Sequence, residues 1–360
     1  MTDTSTPLAS YPRINPAFGT VIESDDAVTF TAGPWSGPVF EIEDEDREGQ
    51  LANFVTALDG TTHVDAILDS FDPESREDLR GVLFALQEKS IVRDAGEPVD
   101  AERARVGGYL ALRDDESDRE AQLANATLAV VGAGLAGRTF VRALLDSGVG
   151  GIEYVDLSTD TNTERAQADA GPREGVFADD RVTHHVDPDL QALLGESTFG
   201  AMAVDRPYPS VATALNEAAH RTGTPWTIGV VNGVDGQVGP TVYPGETACY
   251  DCFRERANAA TGAAYTSFES SSEAPRPGLP AFATIVSGLL AADVIEQVTG
   301  GFGVTTGSVV DFDFDSFAVQ ADEVLRLPHC EACGRDADRL DAPRHVTIDR
   351  LASRSTEGKR

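Results

Sequence analysis

Residues 127–156 read TLAVVGAGLAGRTFVRALLDSGVGGIEYVD. Residues 128–131 form a short apolar, β-branched run of the kind that lies buried in a parallel sheet. Gly132, Gly134 and Gly137 follow as G-x-G-x-x-G, and Val141, Leu144 and Leu145 then recur at helical spacing up to Gly148. Residues 152–155 predict a second strand, which ends on Asp156. This order of strand, glycine loop, helix, strand and acid is the pattern of a nucleotide-binding βαβ unit. The glycines permit a tight turn and close approach to a phosphate. The helix N-terminus offers free N–H groups, and an acid about 20 residues on can reach a ribose hydroxyl. Gly132, Gly134, Gly137 and Asp156 are therefore the candidate nucleotide-binding residues; whether a nucleotide still binds there is a separate question.

Downstream, the alternation continues. Val182 and the Thr183-His184-His185 stretch predict a strand, residues 201–204 another that runs into Asp205, residues 209–221 a helix and residues 226–231 a further strand. Repeated β-α-β order implies an α/β fold with a Rossmann-like, doubly wound, mainly parallel sheet. His184 and His185 are adjacent, so a strand points them to opposite faces and argues against a shared metal. Upstream, residues 119–126 predict a helix, and residues 95–120 are otherwise polar enough to read as linker.

The first hundred residues have a different grammar. Val21 and Ile22 are placed opposite Val28 and Phe30 across an Asp25-Asp26 turn, and Val39, Phe40 and Ile42 make another strand. Three helices follow, with apolar sets Leu51/Phe54/Val55/Leu58, Val64/Ile67/Leu68/Phe71 and Leu79/Val82/Leu83/Leu86. Gly60 stops the first, Thr61 or Thr62 caps the second, and Pro73 sits in the first turn of the third. Ile91 and Val92 return as an edge strand. The expected organisation is residues 1–10 disordered, a winged-helix-like α+β domain over 11–97, a linker over 98–122, the Rossmann-type domain over 123–335 and a tail over 336–360. A DNA-binding use is disfavoured, because the second helix, THVDAILDSF, has no Arg or Lys.

The bulk numbers narrow the class. The 360 residues carry a formal net charge of −32, and Lys89 and Lys359 are the only lysines. The acids are spread along the chain rather than blocked, which favours adaptation to a high-salt (halophilic) cytoplasm over an acidic face for one basic partner. Nothing basic is available to neutralise nucleic-acid phosphates. MTDTSTPLAS has no secretory pattern, and the most apolar stretch, residues 279–292, is shorter than a membrane span and leads into Asp293. A soluble, cytoplasmic chain is expected.

All four cysteines fall in two pairs, Cys249-x-x-Cys252 and Cys330-x-x-Cys333. Two such pairs can complete a tetrahedral sulfur site for zinc, and four thiolates leave no open position, so the metal would be structural. Two redox pairs or two disulfides are the alternatives, both disfavoured in a cytosolic protein. With the cysteines in a zinc site, none remains as a nucleophile, and no catalytic residue is expected.

The run VGPTVYPGETACYDCF at 238–253, with HCEACG at 329–334 and the GAGLAG loop, closely resembles the ThiF/MoeB-type adenylating family, relatives of ubiquitin-activating enzymes. The resemblance covers roughly residues 123–335, including the helix PAFATIVSGLLAADVIEQVTG. It implies a ribose-binding role for Asp156, a magnesium-binding role for Asp205 and ATP as the cofactor. It also implies a mobile crossover loop over residues 257–277, which here lacks the catalytic cysteine of many members, and homodimerisation. The family's acid-S-N-L-x-R-Q run is replaced by LSTDTNTERAQ, with Ser158 in the second acid's place and Arg165 displaced. The phosphate-contacting lysine has no counterpart. A phosphoryl-transfer transition state needs cations, so the ATP site is expected to be degenerate.

The N-terminal pattern, with LDGTTHVDAIL and LRGVLFALQEKSIV, resembles the PqqD-like peptide-recognition domain, in which a leader peptide adds as a strand to the sheet edge; a plain docking or dimerisation domain is the alternative. Both parts together resemble the TOMM (thiazole/oxazole-modified microcin) leader-binding protein, or cyclodehydratase C protein. That resemblance implies a scaffold that presents a bacteriocin-type precursor to a separate YcaO-type cyclodehydratase. An adenylating enzyme acting on a carrier-protein or peptide C-terminus is the second reading. An NAD-type oxidoreductase is the third, and the sequence offers no acid–base pair for it.

Overall fold

The structure, a computed structural model, describes residues 8–33, 38–44, 49–95, 106–107, 109–110, 119–157, 175–270, 276–301 and 303–334. The chain divides into two compact units, Met1–Leu123 with Asp146–Gly148, and Ala124–Leu145 with Val149–Arg360.

In the first unit, β2 (Gly19–Ser24), β3 (Ala27–Thr31) and β4 (Pro38–Glu43) form an antiparallel sheet in the order β2-β3-β4. Strand β3 alternates, burying Val28 and Phe30, whereas every residue of β2 is exposed. Ile22 does lie opposite Val28, but Val21 pairs with Thr29 and Phe30 with Thr20, because the hairpin carries an irregularity between Ile22 and Ser24. Helices α1 (Leu51–Ala57), α2 (Val64–Asp69) and α3 (Arg76–Glu88) supply the rest of the core, with Phe54, Leu58, Leu83 and Leu86 almost fully buried. Helix α1 ends not at Gly60 but at Leu58, whose N–H donates to the Val55 carbonyl; Gly60 follows in the turn at φ +80°, where a Cβ would meet Ala95 and Arg13 side chains at 2.8 and 3.0 Å. Short strands β1 (Pro12–Ile14) and β5 (Val92–Asp94) pair separately.

Three other local expectations change. The cap of α2 is neither threonine but His63, whose Nδ1 accepts the Asp65 N–H at 3.3 Å; Thr61 is held instead by Asp59. Pro73 lies in the turn before α3, which begins at Arg76. Residues 8–10 are tied down, the N–H of Ala9 donating to Gln87 and that of Ser10 to Asp94.

The second unit is built on an eight-stranded sheet. After α4 (Arg119–Asn125) come β6 (Thr127–Gly132), α5 (Gly134–Asp146), β7 (Gly151–Asp156), β8 (Val182–His185), α6 (Leu190–Gly195), β9 (Phe199–Val204), α7 (Pro209–Thr222), β10 (Trp226–Asn232) and β11 (Asp235–Val238). Then follow α8 (Tyr250–Thr261), α9 (Ala263–Ser270), α10 (Pro280–Val298), β12 (Ser308–Asp313) and β13 (Ala318–Glu323). The strand order is β13-β12-β11-β10-β9-β6-β7-β8. From β10 to β8 all neighbours are parallel, and β11, β12 and β13 extend the sheet antiparallel.

Strands β9 and β10 are buried at every residue, as parallel strands covered on both faces must be. Helix α10 packs on β9, β10 and β11, and Gly229 makes room for it, since a Cβ there would meet Leu290 at 2.9 Å. By length and composition α10 could cross a bilayer, but much of it is buried in this core. Residues 257–270, expected as loop, are helical in α8 and α9. Gly262 at φ +63° separates the two helices, and Glu269 ties them together through Arg254 at 2.9 Å and the Tyr250 hydroxyl at 3.2 Å. Ser158 and Arg165 lie outside the described residues.

Candidate functional site

The carboxyl ends of the parallel strands bring the predicted nucleotide residues together. Gly132 pairs with Asp156 across β6 and β7, and with Ala203 across β6 and β9, two residues before Asp205. Gly134 turns the chain at φ +59° and opens α5.

The space around these glycines is taken by the protein's own side chains. A Cβ on Gly132 would lie 2.6 Å from the Tyr154 hydroxyl, and one on Gly137 would lie 2.9 Å from the same oxygen. A Cβ on Gly134 would fall onto the Asp205 carboxylate. Asp205 Oδ2 accepts the N–H of Leu135 at 3.1 Å, so the first turn of α5 already holds an anion. In front of Asp205 lies a cavity of about 200 Å³ lined by Leu135, Val231, Arg276 and Pro280 among others. That is below the ~300–1,000 Å³ usual for small-molecule sites. Its arginine, Arg276, reaches Asp235 at 3.6 Å. On the other side, Arg206 donates to the Tyr208 hydroxyl at 2.7 Å and lies over its ring at 4.7 Å. The N–H of Leu135, one of the groups a phosphate would use at this helix start, is thus already taken by Asp205.

Tyr154 is the residue the sequence reading missed. It is 1% exposed, and its ring packs against Phe177 at 4.7 Å and His184 at 5.6 Å. Burial, helped by the neighbouring Asp156 charge, pushes its phenol above the ordinary value. His184 is thus a packing residue, while His185 turns to the opposite face and meets Glu153 at 2.5 Å. The only early signal was an aromatic residue on the strand beside a glycine loop.

The cysteines converge. Cys249 sits just before α8 and Cys252 in its first turn, and the 330–333 turn closes over them. The sulfurs of Cys249 and Cys330 are 3.5 Å apart, those of Cys252 and Cys333 3.4 Å, those of Cys249 and Cys252 3.8 Å, and all four lie within 4.8 Å. A disulfide needs about 2.05 Å, so neither pair is bonded. Tetrahedral coordination at about 2.3 Å per Zn–S bond places sulfurs ~3.8 Å apart, and the cluster matches that spacing. Leu327 N–H donates to Cys252 Sγ at 3.3 Å, the kind of outer hydrogen bond that orients a metal-bound thiolate. The group could hold a metal ion, and among its described residues every member is a sulfur ligand.

Residues 178–333 match the ThiF family. This part of the chain is a ThiF-family domain. The chain is 24% identical over 259 residues to the molybdopterin-synthase adenylyltransferase of Escherichia coli (strain K12), a match covering 66% of this chain and 98% of that protein. Among solved structures it is similar to a heterocyclase in complex with substrate and cofactor (TM-score 0.62, 17% identity, 95% of this chain and 42% of that one). It is also similar to the heterocyclase TruD (0.61, 19%, 95% and 45%). E. coli MccB with ATP matches at 0.59 and 16%, over 90% of this chain and 99% of MccB. The chain spans less than half the length of the two heterocyclases. At these identities the structural likenesses concern the fold.

Proposed function

We propose that this protein is a leader-peptide-binding subunit that presents a ribosomal precursor to a separate YcaO-type, ATP-dependent azoline-forming enzyme. The observation that carries the reading is the first unit's three-stranded sheet. Its edge strand β2 is exposed at every residue, with Val21 and Ile22 about half exposed at 48% and 52%. An apolar edge of this kind is an aggregation liability unless another strand covers it. A peptide that adds there gains main-chain hydrogen bonds for affinity and side-chain contacts for choice. The filled glycine loop supports the same reading, since a presenting subunit has no need to bind ATP. The similarity to heterocyclases over 95% of the chain is a further support. The four cysteines would hold a structural zinc that fixes the start of α8.

The test is titration of leader peptides from neighbouring precursor genes into the full-length protein. Binding on the order of micromolar or tighter, with slowed amide exchange in β2 or β4, is expected. No detectable binding by any such peptide would sink the reading. The second reading, an adenylating enzyme, is favoured by the match to nearly the whole of an adenylyltransferase. ATP–pyrophosphate exchange dependent on a peptide or carrier-protein C-terminus would select it.

A further inference from the structure

We propose that Asp205 is a resident anion of the glycine loop, a built-in carboxylate that holds the phosphate position closed, rather than a magnesium ligand. The proposal goes beyond the scaffold reading, because peptide capture by the first unit does not depend on it.

Each glycine of the motif has an internal reason to lack a side chain. Gly132 and Gly137 yield to Tyr154, and Gly134 yields to Asp205. Close backbone approach, the property that makes such a loop suitable for a phosphate, is already used for packing. The helix N-terminus is likewise engaged. Its N–H at Leu135 is donated to Asp205 Oδ2 at 3.1 Å, and a carboxylate at the positive end of the thirteen-residue α5 is stabilising.

A phosphate group arriving at the same N–H would meet the Asp205 carboxylate, a like charge a few ångströms away. Arg206 engages Tyr208, and Arg276 reaches Asp235. Among the described residues no ion pair draws the Asp205 carboxylate away from the loop. Anion binding therefore has to displace Asp205 first. Loss of this side chain is expected to open the position, the reverse of what loss of a magnesium ligand would do.

The experiment titrates inorganic tripolyphosphate, without divalent metal, into the full-length wild type, Asp205→Ala and Asp205→Asn, in potassium chloride that keeps all three folded. Thermal melts are recorded with and without the anion. The expected order of affinity is Ala, then Asn, then wild type, with the first and last separated by at least about tenfold. Only the variants should gain melting temperature on adding the anion. Asp205→Asn retains an acceptor for the Leu135 N–H, so the comparison stands even if the alanine variant folds poorly. Equal binding by all three proteins, or binding by none, would overturn the proposal. So would magnesium–ATP binding by the wild type that both variants lose, which would make Asp205 a metal ligand.

Discussion

The glycine loop and the cysteine cluster are both short sequence motifs, and the structure treats them in opposite ways. The cysteines are the ligands themselves. Their four sulfurs lie within 4.8 Å of one another. Glycines act by leaving space, and here Tyr154 and Asp205 take the space up. A motif that supplies ligands can be checked by whether those ligands meet. A motif that supplies emptiness can be checked only by what comes to occupy it.

The largest expected effect lies at the cysteines. A structural zinc contributes roughly 10–16 kcal/mol of apparent binding free energy, which is folding free energy when the site does not preform. Chelation, or Cys330→Ser, should abolish cooperative thermal unfolding of the second unit. Elemental analysis of the wild type should find one zinc per chain. A wild type that is fully folded and zinc-free would break this half of the comparison.

At the loop, Tyr154→Ala should cost about 3–5 kcal/mol, in line with removal of a large buried aromatic residue. Chemical denaturation measures it directly. Gly132→Ala should cost about 1–3 kcal/mol through overpacking against the Tyr154 ring. Combining it with Tyr154→Leu should recover part of that loss, because the two residues are in contact and their effects couple. Strict additivity in this cycle would mean that Tyr154 is not what demands the glycine.

A smaller effect separates burial for packing from burial of charge. Asp311, on β12, has its carboxyl pushed up to about 6, chiefly by burial and then by the nearby Asp322 charge. Its folded pKa exceeds its unfolded value, so ionisation opposes folding. The penalty is complete above pH 6 and disappears as pH falls from 6 towards 4. Raising the pKa from 3.8 to about 6 corresponds to at most about 3 kcal/mol at pH 7. Asp311→Asn should stabilise the protein by up to that amount at pH 7 and by little near pH 4. Urea midpoints at both pH values check the sign.

How much could be read in advance follows from how local each signal was. Strands β6, β9 and β10 announced themselves through largely apolar runs, β7 through its place after the glycine loop and helix, and the cysteine pairs through a three-residue spacing. The antiparallel extension did not. Strand β13, AVQADE, is exposed throughout and has no apolar period, and β11, DGQV, is four residues long. The helices α8 and α9 were hidden behind an expectation of loop, although Ala-rich sequence favours helix and Glu269 anchors the pair. The occupants of the glycine loop were illegible for a simpler reason. Asp205 lies 70 residues from the N–H it caps, and nothing in the spacing reveals that its carboxylate turns back onto the loop.

The most direct measurement is calorimetric titration of magnesium–ATP into the folded, zinc-loaded, full-length protein in concentrated potassium chloride, since an acidic chain needs its self-repulsion screened. A glycine loop occupied by Tyr154 and Asp205 predicts no binding heat at millimolar ATP. A saturable isotherm in the micromolar range, lost in Asp205→Ala, would contradict that and mark the domain as an adenylating enzyme.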